Sequence, residues 1–311
     1  MIRVAVASRS FSRHPTLRAE LTARYPGATF NDSGRVLAGD DLIAFLSGHD
    51  RAIVALERID DAVLSRLPAL SVVSKYGVGL DGLDLAAMGR RGVRLGWQGG
   101  VNRRAVSELV IGMLIFLLRR LPVVCEEVRQ GHWRQQTGRQ LSQCIVGIVG
   151  CGHIGRDLVG LLKGFGSTIL AHDIRDYSAF YADHGVRAVG IEALLYESDI
   201  VTLHLPLDDS TRGILDARRL GLMRPGAILV NAARGGLVDE AAVKSMLVSG
   251  RLGGAAFDVL ADEPSVDTEL VRLPNVVATS HIGGSTEEAI LAMGRAAIEG
   301  LEKASVPVAG P

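Results

Sequence analysis

The chain predicts an α/β fold of doubly wound parallel sheets, on three observations. Short β-rich apolar runs alternate with helical stretches before residue 100 and again from about residue 145. Strands separated by helices of that length imply parallel sheets covered on both faces. A β-rich run leads straight into a glycine-rich turn and a helix at Cys144-Ile-Val-Gly-Ile-Val-Gly-Cys-Gly-His-Ile-Gly155. At 311 residues the chain has the length for two domains, each with its own core.

In order along the chain, strands are predicted at residues 3–7, 52–56, 70–74 and 93–96, where apolar and β-branched residues cluster between polar breaks. Between them a helix begins near Pro15, a good first-turn residue, and another near Asp40 and Asp41. A long helix is expected over residues 102–121. The second series of strands covers 144–149, 168–172, 200–204, 227–231, 253–258 and 276–279, and a final helix covers 287–303. Within the long helix, Leu109-Val-Ile-Gly-Met-Leu-Ile-Phe-Leu-Leu118 is apolar nearly all round, so several of its faces must be covered. Either it is a core helix, or a second copy of the chain covers part of it; its place between the two series favours a homodimer.

Composition narrows the class. Thirty-four basic residues balance 34 acidic ones, so the totals imply no basic face and no nucleic-acid partner. Cys125, Cys144 and Cys151 show neither CxxC nor ligand-like spacing and read as free thiols of a reducing, cytoplasmic setting. No metal site is visible. The N-terminal apolar run is too short for a signal peptide, and the longest apolar run, 109–118, falls far short of a membrane span.

The glycine turn carries chemistry. Gly150 permits the tight turn, Gly152 lets a pyrophosphate approach the backbone, and Gly155 lets helix and strand pack closely. The pyrophosphate would sit on the helix N-terminus, where free N–H groups and the positive dipole end favour an anion. Asp173 closes the next apolar run, 21 residues beyond Gly152, and supplies the acid expected on the adenosine ribose. A carboxylate there favours NAD over NADP, because it would repel a 2′-phosphate; Arg175 nearby weakens that preference slightly.

Three later segments stand at the carboxyl ends of strands, where a doubly wound sheet puts its chemistry. Asn231-Ala-Ala-Arg-Gly235 offers Arg234, Asp258-Val-Leu-Ala-Asp-Glu263 offers Glu263, and Ser280-His281 offers His281. Hydride transfer at a 2-hydroxy or 2-oxo acid needs those types. Arginine grips the carboxylate and carbonyl, histidine moves the hydroxyl proton, and a carboxylate orients the imidazole and favours its protonated form.

Together with Tyr76-Gly-Val-Gly-Leu-Asp-Gly-Leu-Asp84, Asn102, Ala105-Val-Ser-Glu108, His204-Leu-Pro206 and His281-Ile-Gly-Gly284, these motifs resemble the D-isomer-specific 2-hydroxyacid dehydrogenases, in particular their phosphoglycerate-dehydrogenase-like branch. The resemblance covers most of the chain. It implies Arg234, Glu263 and His281 as catalytic residues, and NAD as cofactor. Beside the glycines and Asp173 it implies nucleotide contacts at His153, Ile154, His204 and Pro206, and at Thr211, Ala232, Asp258 and Gly283. On the substrate side it implies the backbone of Val78 and Gly79, with Asn102 and Arg58 as further candidates. It also implies a discontinuous plan. A flavodoxin-like substrate domain (residues 1–100 plus 284–311) would receive a Rossmann-type NAD domain (101–283) as an insertion, with a cleft that closes on substrate, and two such chains would form a homodimer about the long helix.

The match departs in places. Ser280 stands where the family commonly has proline, which predicts a less rigid loop before His281. Where phosphoglycerate dehydrogenases often carry Arg-Ser, this chain reads Leu56-Glu-Arg-Ile59; Arg58 could substitute, but Glu57 would repel a phosphate. Arg9, Arg13, Lys75, Arg103 and Arg104 are the other cations to consider. The chain stops at 311, so no C-terminal regulatory domain is expected. The substrate therefore stays open: 3-phosphoglycerate first, then glyoxylate, hydroxypyruvate or a bulkier 2-oxo acid. A corepressor-like NAD(H) sensor is the alternative from another class.

Overall fold

The computed structural model describes residues 2–264 and 266–307; Met1, Ser265 and positions 308–311 of the predicted C-terminal segment lie outside them. The chain divides into two units, one formed by the residues up to Asn102 with those from Glu287 onward, the other by Arg103–Thr286.

The first unit carries β1 (Val4–Val6), β2 (Thr29–Phe30), β3 (Arg51–Val54), β4 (Val72–Lys75) and β5 (Arg94–Gly96) in the order β2-β1-β3-β4-β5. All pairs are parallel. The inner strands β1, β3 and β4 are buried because helices cover both faces of the sheet. Leu42, Leu46, Val63 and Met88 pack on one side, and Phe11, Leu17, Leu21, Ile298 and Leu301 on the other. The helix Glu287–Lys303 spans the residues expected of it and lies against β3, β4 and β5. Its Gly300 sits so near β5 that a Cβ on Gly96 would collide with the Gly300 backbone, and a Cβ on Gly300 would collide with the Ser74 hydroxyl.

The second unit carries β6 (Ile145–Val149), β7 (Thr168–His172), β8 (Arg187–Ala188), β9 (Ile200–Leu203), β10 (Ala227–Asn231), β11 (Leu252–Phe257) and β12 (Val276–Ala278), ordered β12-β11-β10-β9-β6-β7-β8. Every pairing is again parallel. The order reverses between β6 and β9, so a crevice opens at their carboxyl ends, the place where doubly wound sheets bind ligands.

The predicted strands are present, with ends moved by one or two residues. The long helix needs correction. It runs Arg103–Leu118, and a second helix, Leu121–Arg129, follows Arg120, which adopts a left-handed φ of 53°. Pro122 in the new first turn cannot donate to an earlier carbonyl, so the chain restarts rather than continues. Most of the apolar stretch is covered within its own unit: Val110, Met113, Leu114, Leu117 and Leu118 are buried in a cluster with Leu158, Val159 and Leu162. None of the residues in Leu121–Arg129 is buried.

Candidate active site

The turn after β6 has the geometry a dinucleotide requires. Gly150 has φ +93°, and a Cβ there would meet the His204 carbonyl oxygen, beyond β9, at 2.7 Å. The two loops flanking the crevice thus touch through a position only glycine fills. At Gly155 a Cβ would collide with the Gly150 carbonyl oxygen, whereas at Gly152 it would meet nothing within 4 Å. Gly152 is the N-cap of the helix His153–Phe165 and supplies no capping side chain. The backbone is therefore open above the first-turn N–H groups, including those of His153, Ile154 and Gly155. Burial, then Arg156, Arg103 and Arg175, lower the pKa of His153, a sign of the positive field at this helix end. Asp173 accepts hydrogen bonds from the N–H of Cys151 at 2.6 Å and of Arg175 at 2.8 Å, which leaves lone pairs on both oxygens. Open backbone, positive helix end and facing acid fit NAD.

Beyond β9, Thr211 donates to the Pro206 carbonyl at 2.8 Å and accepts from the Asp208 N–H at 2.9 Å, so it closes its loop on itself. His204 Nε2 lies 3.0 Å from the Thr202 hydroxyl, its Nδ1 is buried without a partner among the described residues, and burial pushes the ring's pKa down to about 3. An imidazole held neutral in the fold makes stability fall as pH drops, because the unfolded ring titrates near 6.5. Between pH 7 and pH 5 the expected loss from His204 is about 2 kcal/mol. Urea unfolding at both pH values should show His204→Gln losing less stability than the parent by that amount; parallel losses would mean that the ring is solvated.

The three catalytic-type residues occupy neighbouring strand ends, since β10, β11 and β12 are adjacent. At the end of β10 the buried Asn231 folds the turn: its Nδ2 donates to the Arg234 carbonyl at 2.8 Å and its Oδ1 accepts from the Ala233 N–H at 3.2 Å. The Arg234 guanidinium donates to the Ala233 carbonyl at 2.7 Å. Glu263, beyond β11, accepts from the Leu260 N–H at 3.0 Å with one oxygen and lies 2.9 Å from His281 Nδ1 with the other. That bond fixes the ring, and Nε2 has no partner among the described residues. The imidazole is half exposed, so solvent and substrate can reach it.

Asp258 holds this arrangement together. Buried at the end of β11, its carboxylate accepts from the Thr279 hydroxyl at 2.7 Å and from the N–H groups of Ile282 and Gly283, both at 2.8 Å. Its carbonyl accepts from the His281 N–H at 2.9 Å. His281 itself has a left-handed φ of 56°, an uncommon conformation that such clamping maintains. The loop after Ser280 is thus gripped from β11, an anchoring role for Asp258 that residue type alone does not show. Its signal was an acid directly after a strand, two segments before a histidine loop.

On the first unit, Gly77 has φ +123°, and the Val78 carbonyl accepts from the Trp97 indole at 3.0 Å. The N–H groups of Val78 and Gly79 engage no acceptor among the described residues. Arg58 pairs with Asp60 at 3.1 Å and is largely exposed. Asn102 is buried, and its Oδ1 lacks a partner among the described residues. Ala232 is buried beside Asn231.

Residues 111–283 match the family model described as the D-isomer specific 2-hydroxyacid dehydrogenase NAD binding domain. The chain belongs to the D-isomer-specific 2-hydroxyacid dehydrogenase family. It is 35% identical to D-3-phosphoglycerate dehydrogenase of Mycobacterium bovis over 80% of its own length and 48% of that protein's. It therefore spans about half the length of that relative. With glyoxylate reductase of Thermococcus litoralis it shares 34% identity over 76% of its own length and 75% of the relative. The solved structure of D-2-hydroxyisocaproate dehydrogenase superposes with a TM-score of 0.82 at 27% identity, covering 94% of this chain and 93% of the other. The α/β, doubly wound reading and the family resemblance both agree with these matches.

Proposed function

We propose that this chain is an NAD-dependent dehydrogenase of a small D-2-hydroxy acid, and that it works through the Glu263–His281 pair. The observation that carries this is the 2.9 Å contact between Glu263 and His281 Nδ1, which leaves Nε2 as the one ring nitrogen able to face a substrate hydroxyl. NAD, when bound, takes up or supplies the hydride. In oxidation, Nε2 of neutral His281 removes the proton of the C2 hydroxyl as the C2–H bond breaks, giving the 2-oxo acid. In reduction the protonated ring returns that proton. Glu263 holds the tautomer and supports the charge formed on the ring. Arg234 orients the carboxylate and polarises the C2 oxygen; in the first unit, the N–H groups of Val78 and Gly79, unengaged among the described residues, suit an anion-binding turn. Asp173 selects the unphosphorylated ribose.

Loss of NADH absorbance with a panel of 2-oxo acids tests the proposal. Turnover of at least one acid with NADH in preference to NADPH is expected. Tight NADH binding with no turnover would move the reading toward a nucleotide sensor. Relatives named for phosphoglycerate and for glyoxylate lie within one per cent of each other in identity, so similarity does not choose the acid.

We also propose that the chain acts as a homodimer through the segment after Leu118. Among the described residues the helix Leu121–Arg129 has no fully buried side chain, and Trp133 is 85% exposed and Val128 45%; apolar surface of that kind on one segment marks a partner site. Sedimentation should give twice the chain mass, and Trp133→Ala should weaken association by tenfold or more, about the loss expected for a buried aromatic anchor. A parent that sediments as a monomer would refute the dimer. The free cysteines and balanced charge are consistent with a cytoplasmic protein.

A further inference from the structure

Resting on the dehydrogenase reading above, we propose that the substrate is an unphosphorylated acid with an apolar side chain, received by Leu56 and Trp97. Strands β3, β4 and β5 are neighbours in the first sheet, and the chain leaves their carboxyl ends at Ala55, Tyr76 and Trp97. The loops beyond them are tied together. Ile59 donates its N–H to the Gly82 carbonyl at 2.9 Å, and the Trp97 indole donates to the Val78 carbonyl at 3.0 Å. Leu56 and Trp97 therefore share an edge with the unengaged N–H groups of Val78 and Gly79. On that edge Leu56 is 72% exposed and Trp97 43%. A lone exposed leucine means little. Two large apolar groups beside an open anion-binding turn are the pattern of a ligand site: polar groups fix the headgroup and apolar ones cover the rest.

Each cation considered for a phosphate has another partner. A phosphate ester is selected by arginine or lysine offering directed, charge-assisted bonds. Arg9 donates to the Gly34 carbonyl at 3.5 Å and the Arg13 guanidinium lies against Gly34. Both are in contact with the turn after β2, on the far side of β1 from β3, β4 and β5. Arg58 pairs with Asp60, which also caps the helix Asp61–Ser65. Lys75 is buried and donates to the Ala55 carbonyl. Glu57, 2% exposed, accepts from the Ala55 N–H at 2.7 Å and places a carboxyl group at the root of the same loop. In the second unit, Arg103 and Arg104 lie 3.8 and 3.1 Å from Asp157.

The test is a comparison of kcat/KM, at saturating NADH, for pyruvate, 2-oxobutanoate, 4-methyl-2-oxopentanoate and 3-phosphohydroxypyruvate, with the parent and with Leu56→Arg. The parent should gain roughly fourfold for each methylene buried and should favour the branched acid over the phosphorylated one by at least about tenfold. Leu56→Arg should flatten the series and raise the relative rate with 3-phosphohydroxypyruvate. Leu56→Ala, which adds no bulk or charge, should also flatten the series and keeps the test decisive if the arginine variant unfolds. Preference of the parent for 3-phosphohydroxypyruvate, or a series that does not rise with chain length, would overturn this inference while leaving the dehydrogenase intact. NADH binding without reduction of any 2-oxo acid would overturn both.

Discussion

Replacing His281 by asparagine is expected to lower kcat by roughly a hundred- to ten-thousand-fold, the usual contribution of a positioned acid–base group, while leaving NADH affinity within about twofold. Asparagine is the informative choice because His281 has φ 56°, a backbone state that asparagine tolerates better than alanine. The loop should therefore survive and only the proton transfer should be lost. Asparagine also retains a hydrogen-bonding group near Glu263, so the carboxylate is not left facing an apolar side chain. Stopped-flow binding of NADH and steady-state turnover, measured on the same preparation, separate the two effects. Near-normal turnover would remove His281 from the mechanism, and a parallel loss of nucleotide binding would assign it to the fold.

Asp258→Ala should cause the largest loss of stability together with a loss of turnover. The substitution strips the acceptor from three donors, Thr279, Ile282 and Gly283, in a place where the carboxylate is 2% exposed. Each donor left unsatisfied costs about 1–3 kcal/mol. Water entering the space left by the side chain relieves part of that, so a net loss of about 3 kcal/mol is expected. For a unit the size of Arg103–Thr286 that is a fall in Tm of roughly 6–12 °C. Turnover should drop further than stability alone explains, because the released loop carries His281. Asp258→Asn should fall between the two: one oxygen can still accept, but the amide nitrogen would face a donor. Calorimetry and kinetics on both variants check the order. An alanine variant that melts with the parent would show that the loop does not depend on this carboxylate.

Much of this was legible in the residues, and the reasons differ by element. The strands from Ile145 to Val149 and from Ala227 to Asn231 were readable because buried parallel strands are continuous apolar runs. Thr29–Phe30 and Arg187–Ala188 were not, since each is two residues long at a sheet edge and none of the four is buried. The restart after Leu118 was missed because an apolar pattern continues across it; Pro122 was the available warning. Arg234, Glu263 and His281 could be singled out as candidates by residue type at strand ends, and the structure brings them to adjacent strand ends. Asp258 entered the reading as one nucleotide contact among several, because nothing in a linear sequence shows that an acid at residue 258 is bonded to a loop more than twenty positions later.

The carboxylate of Asp173 has a consequence for how this chain could change its cofactor. The same group that would read the ribose also accepts the N–H of Cys151, inside the glycine turn. Recognition and scaffold share one side chain. A substitution made only to admit a 2′-phosphate, such as alanine, would withdraw a strut from the glycine turn proposed to cradle the pyrophosphate, so the new cofactor would meet a looser site than the old one left. Asparagine or serine would keep an acceptor for that N–H while removing the charge. The neutral routes away from Asp173 are thus narrow, and a lineage drifting toward NADP would be channelled through residues that can still brace the turn.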